Sequence, residues 1–255
     1  GGLSYKWNRT EYYKILDDLL GGDYYVNIDQ FAERDYASSV TMYQNDLDYY
    51  LKNGKAQTLK QGDKYGYDYY ANVRRAEAWA SGKFSKFGLD VALAGRIGYT
   101  KYWREGLLRK GLFPGLDANG QPMTYEGKVI TTYDPITGDA ITSLGKSEVK
   151  DFLTGAAKLN VSYVIPGGHR VYANAAFIAD APNFNQAFIS PRTRNSIVPN
   201  LKTNKTLTAD LNYAYSNSGY DVRVTGYYTA IKDQSKVMSF YDDAQNSFTN
   251  FAMSG

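Results

Sequence analysis

The residue types that usually carry chemistry are scarce in this chain. Its 255 residues hold no cysteine and one histidine, His169. That excludes thiolate metal sites, disulfide scaffolds and cysteine nucleophiles, and it leaves no histidine set for a metal. The acidic pairs Asp17-Asp18 and Asp242-Asp243 fall in a helix-like and a turn-like stretch, where solvation explains them. The Gly-Gly pairs lack the strand-to-helix context of a phosphate loop. Asn160-Val161-Ser162 and Asn204-Lys205-Thr206 match a glycosylation pattern and carry no further signal. His169 stands beside Pro166-Gly167-Gly168, as an interfacial side chain at a tight turn. The residues read as a non-enzyme. No cofactor is implied.

What the chain has instead is aromatic and alternating. It contains 25 tyrosines, is 43% hydrophobic, and carries a net charge of +3 without a basic run, which argues against nucleic acid. No apolar run approaches the roughly 18 residues of a membrane-spanning helix. The organising stretch is Phe152–Asp180. Gly155, Ala157, Leu159, Val161, Tyr163 and Ile165 share one face. After Pro166–Gly168, Val171, Ala173, Ala175, Phe177 and Ala179 do the same. Two such long strands of period two form a hairpin of a membrane β-barrel or of a large soluble β-sandwich.

Further strands are expected over Tyr65–Ser81, Leu89–Thr100, Leu207–Ser216 and Tyr220–Thr229. A last hairpin is expected from Val237–Tyr241 and Phe248–Met253 around Asp242–Asn246. In Tyr65–Ser81 the apolar parity switches at Arg74-Arg75, which predicts a β-bulge. Residues 1–64 read as a loop region with short helices at Glu11–Leu20 and Met42–Lys52 and an extended piece at Tyr24–Phe31. Tyr12, Tyr13, Tyr24, Tyr25, Tyr49 and Tyr50 there either pack on one another or stack on a ligand.

The connections decide between barrel and sandwich. Gly82–Lys86, Pro166–Gly168 and Asn217–Gly219 are short; Lys101–Lys150 and Ala181–Lys205 are long. Strict alternation of short turns and long loops is a property of outer-membrane barrels. The fold expected is therefore all-β: a transmembrane antiparallel β-barrel with long extracellular loops, occupying residues 65–255 with about eight strands. Asp90, Arg96, Lys158, Arg170, Asp210 and Arg223 all avoid the proposed lipid face, where a central Arg or Lys would cost about 2–4 kcal/mol.

Ala181-Pro182-Asn183-Phe184, Phe188-Ile189-Ser190-Pro191-Arg192-Thr193-Arg194-Asn195, Val222–Thr229 followed by Asp233-Gln234, Gly21–Tyr25 and Tyr99–Lys101 together resemble the barrel of TonB-dependent outer-membrane receptors. The Bacteroidetes type, with its carboxypeptidase-regulatory-like domain, is the nearest likeness. That resemblance implies a 22-stranded barrel around an N-terminal plug. It implies import of a scarce nutrient, driven by the TonB complex, in the outer membrane of a Gram-negative cell. The partners implied are outer-membrane lipids, the protein's own plug, the TonB complex and a surface lipoprotein lid. The chain reads as a middle-to-late piece of such a barrel, without plug, TonB box or terminal strand. The alternatives are a tyrosine-rich soluble β-sandwich that binds glycans and a non-transporting barrel subunit of an outer-membrane assembly.

Inward-facing Arg96, Lys158, Asn160, Arg170, Asn174, Asp210, Asn212 and Arg223 either contact a plug and water or line a substrate path. Loop aromatics, Tyr102, Trp103, Phe113, Phe184 and Phe188, are candidates to cap a ligand. The ligand-binding candidates are Arg96, Tyr102, Trp103, Phe184, Phe188 and Arg223.

Overall fold

A computed structural model describes residues 1–244 and 247–254. Its strands are β1 (Gly2–Ile15), β2 (Tyr25–Val26), β3 (Thr58–Leu59), β4 (Lys64–Lys86), β5 (Leu89–Gly106), β6 (Thr124–Tyr125), β7 (Lys128–Val129), β8 (Gly145–Lys146), β9 (Lys150–Ile165), β10 (His169–Asp180), β11 (Asn204–Ser216), β12 (Asp221–Lys232), β13 (Ser235–Asp242) and β14 (Ser247–Ser254). Three short helices, α1 (Gln30–Asp35), α2 (Leu47–Asn53) and α3 (Phe184–Ala187), all lie in connections. No helix among the described residues is long and apolar enough to cross a membrane.

Seven long strands form one antiparallel sheet in the order β1-β4-β5-β9-β10-β11-β12, with β8 added beside β5. Among the described residues the sheet is open, with β1 and β12 at its edges, and does not close into a barrel. The three tight turns, at 87–88, 166–168 and 217–220, share one end. The three long connections, 16–63, 107–149 and 181–203, share the other. β13 and β14 make a separate hairpin. The last expected hairpin is thus present, although Gln245 and Asn246 of its tip lie outside the described residues.

Several expectations need correction. Glu11–Leu20 is not a helix. Residues 2–15 form an edge strand, because Leu3, Tyr5, Trp7, Tyr12, Tyr13 and Ile15 suit a pleated surface and Tyr12 stacks on Tyr69 at 5.3 Å. The region expected to be loop and helix therefore contributes a full strand. The second helix starts at Leu47, capped by Asp46, which accepts from the Tyr49 amide at 2.9 Å. The first turn is Phe87-Gly88, not Gly82–Lys86. Both its residues have positive φ, 51° and 78°, the geometry of a two-residue hairpin loop.

No bulge occurs at Arg74-Arg75. The β4–β5 register runs unbroken from Tyr69–Gly106 to Lys86–Leu89. The parity switch has another cause. Near the turns, β4 presents Ala76, Ala78, Ala80 and Phe84 on its outward face. Near the loops its apolar residues, Tyr69, Ala71 and Val73, are on the inward face, where the loops fold over the sheet. Tyr102, Phe152, Ala187 and Phe188 form the core there, with Val73 and Phe184 against it. One continuous strand is greasy outside at one end and greasy inside at the other.

The outward face follows one rule. Its residues over Ala76–Phe84, Leu89–Tyr99, Leu153–Ile165, Val171–Ala179, Leu207–Tyr215 and Val222–Ala230 carry no charged side chain. Leu93, Ile97, Leu153, Leu211 and Val224 are more than half exposed there. In β5 this stretch covers about eleven residues, or roughly 25 Å at the usual strand tilt. His169 closes it at the turn end, stacked on Tyr215 at 4.7 Å, with its Nδ1 2.8 Å from the Tyr213 hydroxyl.

Candidate functional site on the inward face

The inward face is polar where the outward face is greasy. Alternation puts Arg75 and Glu77 of β4 beside Arg96 of β5, and Asp180 at the end of β10 reaches the same place. Arg96 pairs with Glu77 at 3.1 Å and with Asp180 at 2.6 Å; Arg75 pairs with the same two acids at 2.7 and 3.3 Å. Two guanidinium groups thus share two carboxylates. Gly98 makes room for this, since a Cβ there would crowd Thr154 and Glu77.

Toward the turns the charges give way to amides. Asn160 donates to Asn174, and Asn174 donates to Asp210 at 2.7 Å. Asn212 also donates to Asp210 and accepts from Thr225 at 2.6 Å. This ladder crosses β9, β10, β11 and β12. Above it Lys158 faces a hollow lined by Ser81, Ala94, Ala176 and Thr208. Arg170 donates to Ser162 at 2.8 Å. The wall offers cations, anions and amides in an ordered, water-facing array.

The loop end is held by two buried basic residues. Arg104 is 1% exposed. It donates to the carbonyls of Ser143 at 2.6 Å and Pro191 at 2.5 Å and to the Asn195 side chain. It therefore fastens connections 107–149 and 181–203 to β5. Gly106 permits this, because a Cβ there would overlap the Ser143 carbonyl. Lys110 donates to Asn45 at 2.7 Å and the Gly66 carbonyl at 3.2 Å, and lies 3.4 Å from Asp29. It ties 107–149 to 16–63. Burial holds its ammonium below the usual lysine range, against the opposing pull of Asp29. In the same loops the Tyr125 hydroxyl is pushed up to about 12 by its hydrogen bond with Tyr50.

The six ligand-binding candidates do not form one site. Tyr102 and Trp103 lie in β5, not in a loop. Tyr102 and Phe188 are 2% and 0% exposed and pack with half-buried Phe184 in the loop core; Phe184 lies 4.6 Å from Phe188. Trp103 faces outward, under Arg74 and Lys146. Arg96 is in the charged quartet. Arg223 stands exposed on the inward parity of edge strand β12, near the turns. Sequence reasoning missed Arg75 and Glu77. The bulge expected at Arg74-Arg75 reversed the parity that would have aligned them with Arg96. Among the described residues, no group of three His, Asp or Glu side chains is placed to hold a metal.

No family model and no curated protein matches this chain. Among solved structures, it is similar to the copper transporter OprC, at 9% identity and a TM-score of 0.37. The match covers 73% of this chain and 33% of that one, so the chain spans about a third of that protein's length. That protein's name describes a transporter, not an enzyme. A likeness this loose carries no argument about what this chain does.

Proposed function

We propose that this chain is part of the wall of a TonB-dependent outer-membrane receptor. Its barrel would number about 22 strands around a plug and import a scarce nutrient in a Gram-negative cell. The observation that carries this reading is the two-faced sheet. Six long strands, β4, β5 and β9 to β12, keep an uncharged outward band, about 25 Å tall in β5, the height of a membrane barrel's apolar belt. Within the seven-stranded sheet the three long connections lie at one end and the three tight turns at the other. A soluble sandwich would need a second sheet on the outward face, and none covers it among the described residues.

In this reading residues 16–63, 107–149 and 181–203 are extracellular, and the inward wall faces a plug or the path of the nutrient. Arg96, Arg223 and Phe184 keep access to that interior. Tyr102 and Phe188 act from behind, by shaping the loop that carries Phe184. The role is one of binding and passage, not catalysis. TonB and a surface lipoprotein lid are partners of the whole receptor.

The test is fractionation of the full-length protein, with gel mobility compared before and after boiling. Recovery from the outer membrane with heat-shifted mobility, together with loss of growth on one scarce nutrient in a deletion strain, supports the proposal. A protein that stays soluble without detergent overturns it.

A further inference from the structure

Just beyond the loop-side border of the apolar band, the outward face carries a basic and aromatic collar. Arg74 of β4 lies between two tryptophans, 5.8 Å from the Trp7 ring and 5.2 Å from the Trp103 ring. Lys146 also lies over the Trp103 ring, at 5.0 Å. Lys101 occupies the same row as Arg74 on the neighbouring strand. Among the described residues, none of these three cations has an ion pair. The Arg74 Nε is buried and has no hydrogen-bond partner. Two acids share this rim without pairing with these cations: Glu105, opposite Lys146, pairs with Arg9 at 3.2 Å, and Asp151 lies opposite Lys101 in register. Immediately toward the turns follow Tyr5, Ala76, Tyr99 and Leu153, then uncharged residues as far as Phe84, Leu89 and Tyr163.

From this juxtaposition we propose that Arg74, Lys101 and Lys146 form a binding site for the phosphorylated headgroup of a membrane lipid, whose acyl chains lie along the outward band. The inference rests on the membrane-barrel reading. Three cations without ion pairs, on a rim where Glu105 is taken by Arg9 and beside a surface able to take acyl chains, complement an amphiphile with a negative headgroup. Trp7 and Trp103 hold the Arg74 plane by cation–π contact, so its donors are aimed before the lipid arrives. A free phosphate would engage the cations but leave the band beside them unused. That separates the lipid from the soluble anion.

The experiment uses detergent-solubilised full-length protein, with native mass spectrometry as the readout. It is titrated with diphosphoryl lipid A, with the same lipid stripped of phosphate, and with inorganic phosphate. The expected result is retention of the phosphorylated lipid over the stripped one, without competition from millimolar phosphate. The triple variant R74Q/K101Q/K146Q should bind it more weakly, by about fivefold per side chain and on the order of a hundredfold in all. Its heat-shifted gel mobility should be unchanged. Equal retention of the two lipids by heat-shifted protein overturns the lipid site and leaves the barrel standing. So does unaltered binding by a heat-shifted variant, or full displacement by phosphate. Protein whose mobility never shifts overturns the barrel, and the lipid site with it.

Discussion

At the scale of single residues, the inward wall is a set of balanced charges and satisfied amides. Glu77 is the most enclosed of the quartet, with its side chain 10% exposed between two arginines. Glu77→Gln keeps the shape and removes the charge. We expect a loss of about 1–3 kcal/mol in denaturant unfolding of the detergent-solubilised protein, because two guanidinium groups then share one acid. Arg104→Met should cost more, about 3–5 kcal/mol, since it strands two buried carbonyls and a side-chain amide. Limited proteolysis within 107–149 and 181–203 reads this directly. Lys110 gives a pH dependence. Burial holds its folded pKa below the ordinary lysine value of 10.5, so the unfolded chain holds more protons as pH climbs toward that value. Stability of the loop assembly should therefore rise with pH across that window. Lys110→Met should flatten the profile of protease resistance.

At the scale of elements, the sequence was most legible where one environment covers a whole strand. The hairpin from β9 to β10 alternates as expected, because its outward side stays apolar from Leu153 to Ala179. β4 was misread because its environment changes midway; period two alone cannot tell a changed neighbour from an inserted residue. β1 was misread because Glu11–Leu20 holds a helix-like run, and pairing with β4 overrides that local preference. The burial of two ligand candidates, Tyr102 and Phe188, was not legible for a related reason. Aromatic type marks a site and a loop core equally well, and only tertiary packing put Tyr102 and Phe188 in the core. Outward and inward substitutions in one strand should separate cleanly. Leu93→Arg in the middle of the outward band should cost about 2–4 kcal/mol of folding stability in lipid, whereas Ala94→Arg on the inward parity should cost much less. Folding titrations into vesicles measure both.

At the scale of the whole molecule, the sheet has two open edges, β1 and β12, whose ladders lack partners among the described residues. Open edges of this length are pairing sites for further strands. If the full-length protein closes as the proposed barrel requires, amides of Gly2–Ile15 and Asp221–Lys232 should exchange with solvent as slowly as those of Leu89–Gly106. Fast exchange at either edge would argue that the sheet does not close.

The two buried basic side chains at the loop end carry a further consequence. Arg104 joins the second and third connections to one strand, and Lys110 joins the second to the first. The mouth of the sheet is thus a chain of clasps with 107–149 as its shared link. A molecule that tugs on any one connection loads the same two clasps, so the rim yields as a unit or not at all, and its opening is a threshold event.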